Sequence, residues 1–130
     1  MANPNIVNVS SIHAGNMGFN LQTTLSAILF SVSTDYLVKV NRIVCANVDG
    51  TSAADLTLYL SSIDDVPTGI SNGTLASTAY IAKTMSVPAD TTLVVLDSPI
   101  YMAEGDVLHG GASANSSLDL IISYEVINDA

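Results

Sequence analysis

The chain has almost no positive charge. Lys39, Arg42 and Lys83 are its only lysines and arginines, against 12 acidic residues, and the formal net charge is −9. Three scattered cations cannot form the basic stripe that phosphate neutralisation needs, so neither nucleic acid nor an anionic membrane is an expected partner. Tryptophan is absent and aromatic residues make up 5% of the chain, which argues against the exposed ring platform on which sugars stack. The single cysteine, Cys45, excludes an intramolecular disulfide. It stands in an apolar strand pattern, where a small buried hydrophobe is the expected role. No apolar run nears the length of a membrane span, and the opening MANPNIVNV lacks the basic and apolar regions of a signal peptide. Folding in a cytoplasm is expected.

Catalytic signatures are missing as well. No Gly-x-Ser-x-Gly elbow occurs. The run Gly110-Gly111-Ala112-Ser113 lacks the lysine of a phosphate loop, and its small residues would instead let another backbone approach closely. His13 and His109 lack the paired spacing of zinc ligands. Asp64-Asp65 and Glu104-Gly105-Asp106 lack the spacing of a calcium loop and read as solvated turn acids. Asn8, Asn72 and Asn115 open glycosylation patterns that matter only on a secretory route. No enzyme activity, metal or cofactor is expected.

The 48% hydrophobic share consists mainly of Val, Ile, Leu and Ala interleaved with Ser and Thr, a composition that suits pleated, half-buried surfaces. Charged residues are 12%, about half the usual share, so part of the surface is expected to be covered by assembly. Residues 1–12 open with Pro4 and alternate weakly through Ile6, Val7 and Val9, as an edge strand or an arm laid on a neighbouring subunit. A turn is expected over 13–18, a short strand over 19–24 and a compact buried strand over 25–33. Residues 37–48 form a long strand whose phase slips near Asn41-Arg42, the mark of a β-bulge. With Leu56, Leu58 and Leu60 beyond the Asp49-Gly50-Thr51 turn, it reads as a β-hairpin.

Residues 61–78 are a long loop, and strands over 79–87 and 91–96 flank a turn at Pro88-Ala89-Asp90. Short strands follow at 100–102 and 107–109, then a small-residue loop over 110–117. The strongest strand comes last, with Leu118, Leu120, Ile122, Tyr124 and Val126 on one face. It is expected to insert between other strands at the centre. The whole, residues 1–130, is expected to be one domain: an all-β, two-sheet antiparallel β-sandwich, jelly-roll-like, with an extended N-terminal segment over 1–18.

Part of this pattern resembles a known family. The run PIY…EGD…ASA…LD…SYE, preceded by VPADTTLVVLD and further upstream by VKVNRIVCANVDGTSAADLTLYL, is similar to small virion structural proteins of tailed bacteriophages, notably cyanobacterial and other aquatic phages. The likeness covers the chain from Leu37 onward. It implies a β-sandwich or jelly-roll fold and a structural role in the particle, in some members as a capsid cement or decoration protein. The reading adopted is a cement protein acting as a homotrimer on the outer capsid surface, with the major capsid protein and its own copies as partners. An acidic chain suits the outside of a DNA-filled shell better than its inside. Assembly contacts are expected at Ile6, Val7 and Val9, and at Lys39, Arg42 and Lys83 where these meet acids of a neighbour. A neck, tail or fibre component is one alternative, although no fibrous repeat or coiled-coil stem occurs. A carbohydrate-binding β-sandwich module is the other.

Overall fold

The structure, a computed structural model, describes residues 6–128. Pro4 and the start of the expected N-terminal segment lie outside the described residues. Nine strands follow in order: β1 (Ser11–Asn20), β2 (Ile28–Ser31), β3 (Tyr36–Asn47), β4 (Ala54–Ser61), β5 (Thr78–Val87), β6 (Thr92–Leu96), β7 (Ile100–Met102), β8 (Val107–Ala112) and β9 (Leu118–Asn128). The first sheet has the order β1-β9-β3-β6, with β7 also paired to β3; the second runs β2-β8-β4-β5. All pairings are antiparallel. Counted as one interrupted strand, β6 and β7 make this the eight-stranded double sheet of a jelly roll. The sandwich expected from the sequence is present, and β9 does insert between β1 and β3.

Alternation builds the core. Leu118, Leu120 and Ile122 of β9 are each 0% exposed and join Val40, Ile43 and Cys45 of β3 and Leu56 and Leu58 of β4 in one cluster. Tyr124 and Val126 pack against the same cluster, half-buried. The bulge is where the phase slip put it: the β3–β9 register shifts between Val40 and Arg42, so Val40 and Ile43 both face inward. Burial, reinforced by the charge of Asp119, pushes the Cys45 thiol up to about 11. That cysteine is a buried hydrophobe.

Several local expectations are corrected by the pairing. Residues 13–18 are no turn but the middle of β1, which stays in register with β9 along its whole length. A Cβ at Gly15 would lie 2.8 Å from the Tyr124 hydroxyl, so the glycine that suggested a turn instead makes room for a ring. The edge strand begins at Ser11, and Ile6 to Ser10 form turns rather than an extended segment. No strand covers 21–24, and the buried strand over 25–33 shrinks to the four residues of β2, with Leu25 and Ile28 exposed. The β3–β4 hairpin is not formed, because the two strands lie in different sheets. Their connection is stapled by the buried Asn47, whose Nδ2 donates to the Ser52 and Val87 carbonyls and whose Oδ1 accepts from Asp49 N–H.

β8 runs on through Gly110 and Gly111 to Ala112, where a loop was expected. The expected close backbone approach is nevertheless there. Segment 22–27 runs along β8, with Ala112 N–H donating to Gln22 O and Gly110 N–H to Ala27 O.

Candidate assembly surface

An open sheet edge is a row of unpaired N–H and C=O groups, and proteins usually blunt it with charge, proline, bulges or shortness. β2 has four residues and a register shift. β6 has five residues and a shift, and β7 only three. β5 is long, but its pairing with β4 shifts twice, Lys83 lies on it and Thr84 has a positive φ of 48°. β1 has none of these devices. Its ten residues, SIHAGNMGFN, contain no charged residue and no proline, and they pair with β9 without a shift. No strand among the described residues covers its outer edge.

The residues singled out for assembly fall in different places. Ile6 and Val7 are exposed, at 58% and 91%, while Val9 is half-buried. Lys39 meets Glu125 of β9 at 3.6 Å and Arg42 meets Asp97, just past β6, at 4.0 Å, both within the chain. The Lys83 ammonium lies 5.2 Å from the centre of the Tyr80 ring, a cation–π contact. Each scarce cation therefore has a partner in its own subunit.

On the second sheet Tyr59 stacks on His109, ring centres 4.6 Å apart and nearly parallel, with Tyr80 tilted beside Tyr59. Those stacked faces are turned to each other, which is not the flat row a sugar platform needs. His109 Nδ1 lies 3.0 Å from the Ser26 carbonyl and Nε2 lies 2.7 Å from Ser61 Oγ. A carbonyl only accepts, so Nδ1 donates to Ser26 O, and Nε2 shares the second hydrogen bond with the Ser61 hydroxyl. The sequence hid this contact because 48 positions separate its members.

The two acidic turns converge on one cavity of about 500 Å³. Leu37, Leu60, Ile63 and Pro67 wall it, Tyr101 also lines it, and Asp65 and Asp106 bring carboxylates. The expectation of solvated turn acids fails at Asp106, which is 7% exposed. Its Oδ2 accepts from Ala103 N–H at 2.9 Å, while its Oδ1 is buried without a partner. Glu104 beside it accepts from Asp35 N–H. Among the described residues no group of three or more His, Cys, Asp or Glu side chains could hold a metal ion.

Burial, with the nearby charge of Asp65, raises the Asp106 pKa above the usual carboxylate range despite the Ala103 hydrogen bond. The folded chain therefore holds this proton more tightly than the unfolded chain does. The resulting cost to the fold is absent below the unfolded pKa, grows as pH rises through it and levels off above the folded value. Asp106→Asn removes the charge while its Oδ1 can still accept from Ala103 N–H. It is expected to stabilise the chain by about 1 kcal/mol at neutral pH, with the difference shrinking at acid pH. Urea unfolding at pH 7 and pH 3 checks this, and a less stable variant at pH 7 would refute it.

No protein-family model matches the chain, and no curated protein matches it. Among solved structures the chain aligns to one titled "Structure of infectious bursal disease virus Gt strain", at 11% identity and a TM-score of 0.21. The alignment covers 92% of this chain and 39% of that one, so this chain spans well under half of the viral protein's length. A likeness that weak carries no information on function.

Proposed function

We propose that the chain is a structural protein of a tailed-bacteriophage virion, a capsid cement that binds the outer shell and ties neighbouring coat subunits together. The observation that carries this reading is the unguarded β1 edge on a domain that blunts every other edge. A solitary protein with such an edge risks aggregation, whereas an assembled one uses it, because a strand laid along it gains main-chain hydrogen bonds and side-chain specificity together. The sparse surface charge and the resemblance from Leu37 onward support the same reading, and jelly rolls recur in viral capsids. The role is mechanical rather than catalytic. Three copies joined by head-to-tail contacts would close a ring, with the major capsid protein as the second partner.

Quantitative mass spectrometry of purified particles is expected to find the chain at a simple ratio to the major coat protein. A ratio far below that would move it to the neck, tail or fibre, and absence would end the virion reading. Particles lacking the chain should rupture at lower temperature or under milder osmotic shock. Ala14→Lys puts a charge on β1 opposite Glu125, leaving the fold intact while blocking strand addition. It is expected to lower the amount retained on shells by about tenfold, and full retention would remove β1 from the interface.

A further inference from the structure

We infer that the gap between β1 and β2 is a groove for one extended segment of a different protein. That segment adds as a strand to the β1 edge and seats a large apolar side chain between the two sheets. β1 and β2 are the terminal strands of their sheets. Between them lies a cavity of about 290 Å³, lined by Met17 of β1, Phe30 of β2, Val32, Val38 of β3, and Tyr124 and Val126 of β9. No charged residue lines it, on a chain of net charge −9.

The backbone sets how a strand lies there. Leu21 N–H donates to Leu118 O just past the end of β1, and β1 stays in register with β9 along its length. Hydrogen-bonded and non-hydrogen-bonded positions alternate in an antiparallel ladder, so the odd-numbered residues of β1 bond to β9. The N–H and C=O groups of Ile12, Ala14, Asn16 and Gly18 therefore point to the open edge, where an added strand would meet them. Side chains directly opposite one another share a face. A residue of the added strand opposite Met17 thus turns inward, into the cavity that Met17 lines. At about 290 Å³ the cavity stands at the low end of ligand pockets, about 300–1,000 Å³, and suits one leucine, methionine or phenylalanine side chain. Main-chain bonds at the edge supply affinity, and the pocketed side chain supplies selectivity.

Elimination decides the source. A second folded copy could offer its own β1, but Met17 and Phe19 there are packed against that copy's core and cannot enter a neighbour's. Beyond residues 6–128 the chain has only MANPN and DA, neither of which alternates apolar residues. Two copies of net charge −9 also repel. The occupant is therefore a segment of another protein that has no sheet of its own, alternating apolar and polar residues with lysine or arginine among the polar ones. The choice of edge rests on the cement reading, under which that protein is the coat subunit.

The groove can be tested on the isolated full chain, apart from any capsid. Methyl-labelled protein is titrated with a nine-residue capped peptide that alternates threonine and valine between terminal lysines and carries phenylalanine at its centre. A matched peptide with serine at the centre is the control. The phenylalanine peptide is expected to shift the Met17, Val32, Val38 and Val126 methyl signals with a Kd of about 100 μM, and the serine peptide to bind at least about tenfold more weakly. Ser31 is exposed and lines the cavity, so Ser31→Trp should fill its mouth and bring the two peptides to equal affinity. Ala14→Pro removes one outward N–H without touching the β9 bonds and should weaken both peptides by about tenfold. The remaining methyl signals check the fold of each variant. No shifts in the wild type, equal binding of the two peptides, an unchanged preference in Ser31→Trp or an unchanged affinity in Ala14→Pro would each overturn the proposal. The same shifts on concentrating the chain alone would give the groove to a second copy and overturn it too. Copy number on particles is read separately: a failed titration leaves it untouched, and absence of the chain from particles leaves the titration untouched.

Discussion

Gly111→Ala is expected to cost about 3 kcal/mol of folding stability, at the upper end for adding one methyl group to a packed site. A Cβ there would lie 2.7 Å from Thr24 O, 2.9 Å from Gln22 O and 3.0 Å from Leu25 Cα. All three atoms are backbone, so no side chain can swing away to relieve the clash. The 22–27 segment would have to lift from β8, loosening the Ala112-to-Gln22 and Gly110-to-Ala27 hydrogen bonds, each worth about 1 kcal/mol. Gly18→Ala supplies the control, since a Cβ at Gly18 meets nothing within 4 Å. It should be neutral or slightly stabilising through the unfolded chain. Urea midpoints separate the two, and a Gly111→Ala midpoint equal to wild type would mean that segment 22–27 does not lie on β8.

Leu120→Ala should cost about as much or more, in the range of 2–5 kcal/mol for deleting a fully buried leucine side chain. Leu120 sits between Phe19 of β1 and Cys45 of β3 and is 0% exposed, so the void cannot be filled from solvent. Its neighbour Ile121 points to the other face and is 49% exposed. Ile121→Ala should cost less than about 1 kcal/mol. Because a one-residue slip exchanges the two faces of a strand, the pair measures the register of β9 directly. Equal costs, or the larger cost at Ile121, would contradict the pairing described above.

Among the assembly residues, the sequence identified the scarcity of cations but not what they touch. Lys39 and Arg42 meet their acids only because β3 lies between β9, which carries Glu125, and β6, which ends just before Asp97. The edge that carries the functional proposal was hidden for a chemical reason. β1 is rich in glycine and asparagine, residues that signal turns, and it becomes a strand by pairing with β9 more than a hundred positions away. The burial of Asp106 is hidden for a related reason: Glu-Gly-Asp is a turn signature whatever packs over it.

By itself the sequence determined the fold class, the inward face of β9, the bulge in β3 and the buried state of Cys45. All of these follow from side-chain periodicity and composition, which record locally which side of a strand meets the core. Only the tertiary structure decided which sheet each strand joins, because alternation looks the same in either sheet. It also decided which edge stays open and that Asp65 and Asp106 share a cavity. Those outcomes depend on contacts between distant segments, where the burial of many side chains together outweighs the local turn and strand preferences of any one stretch.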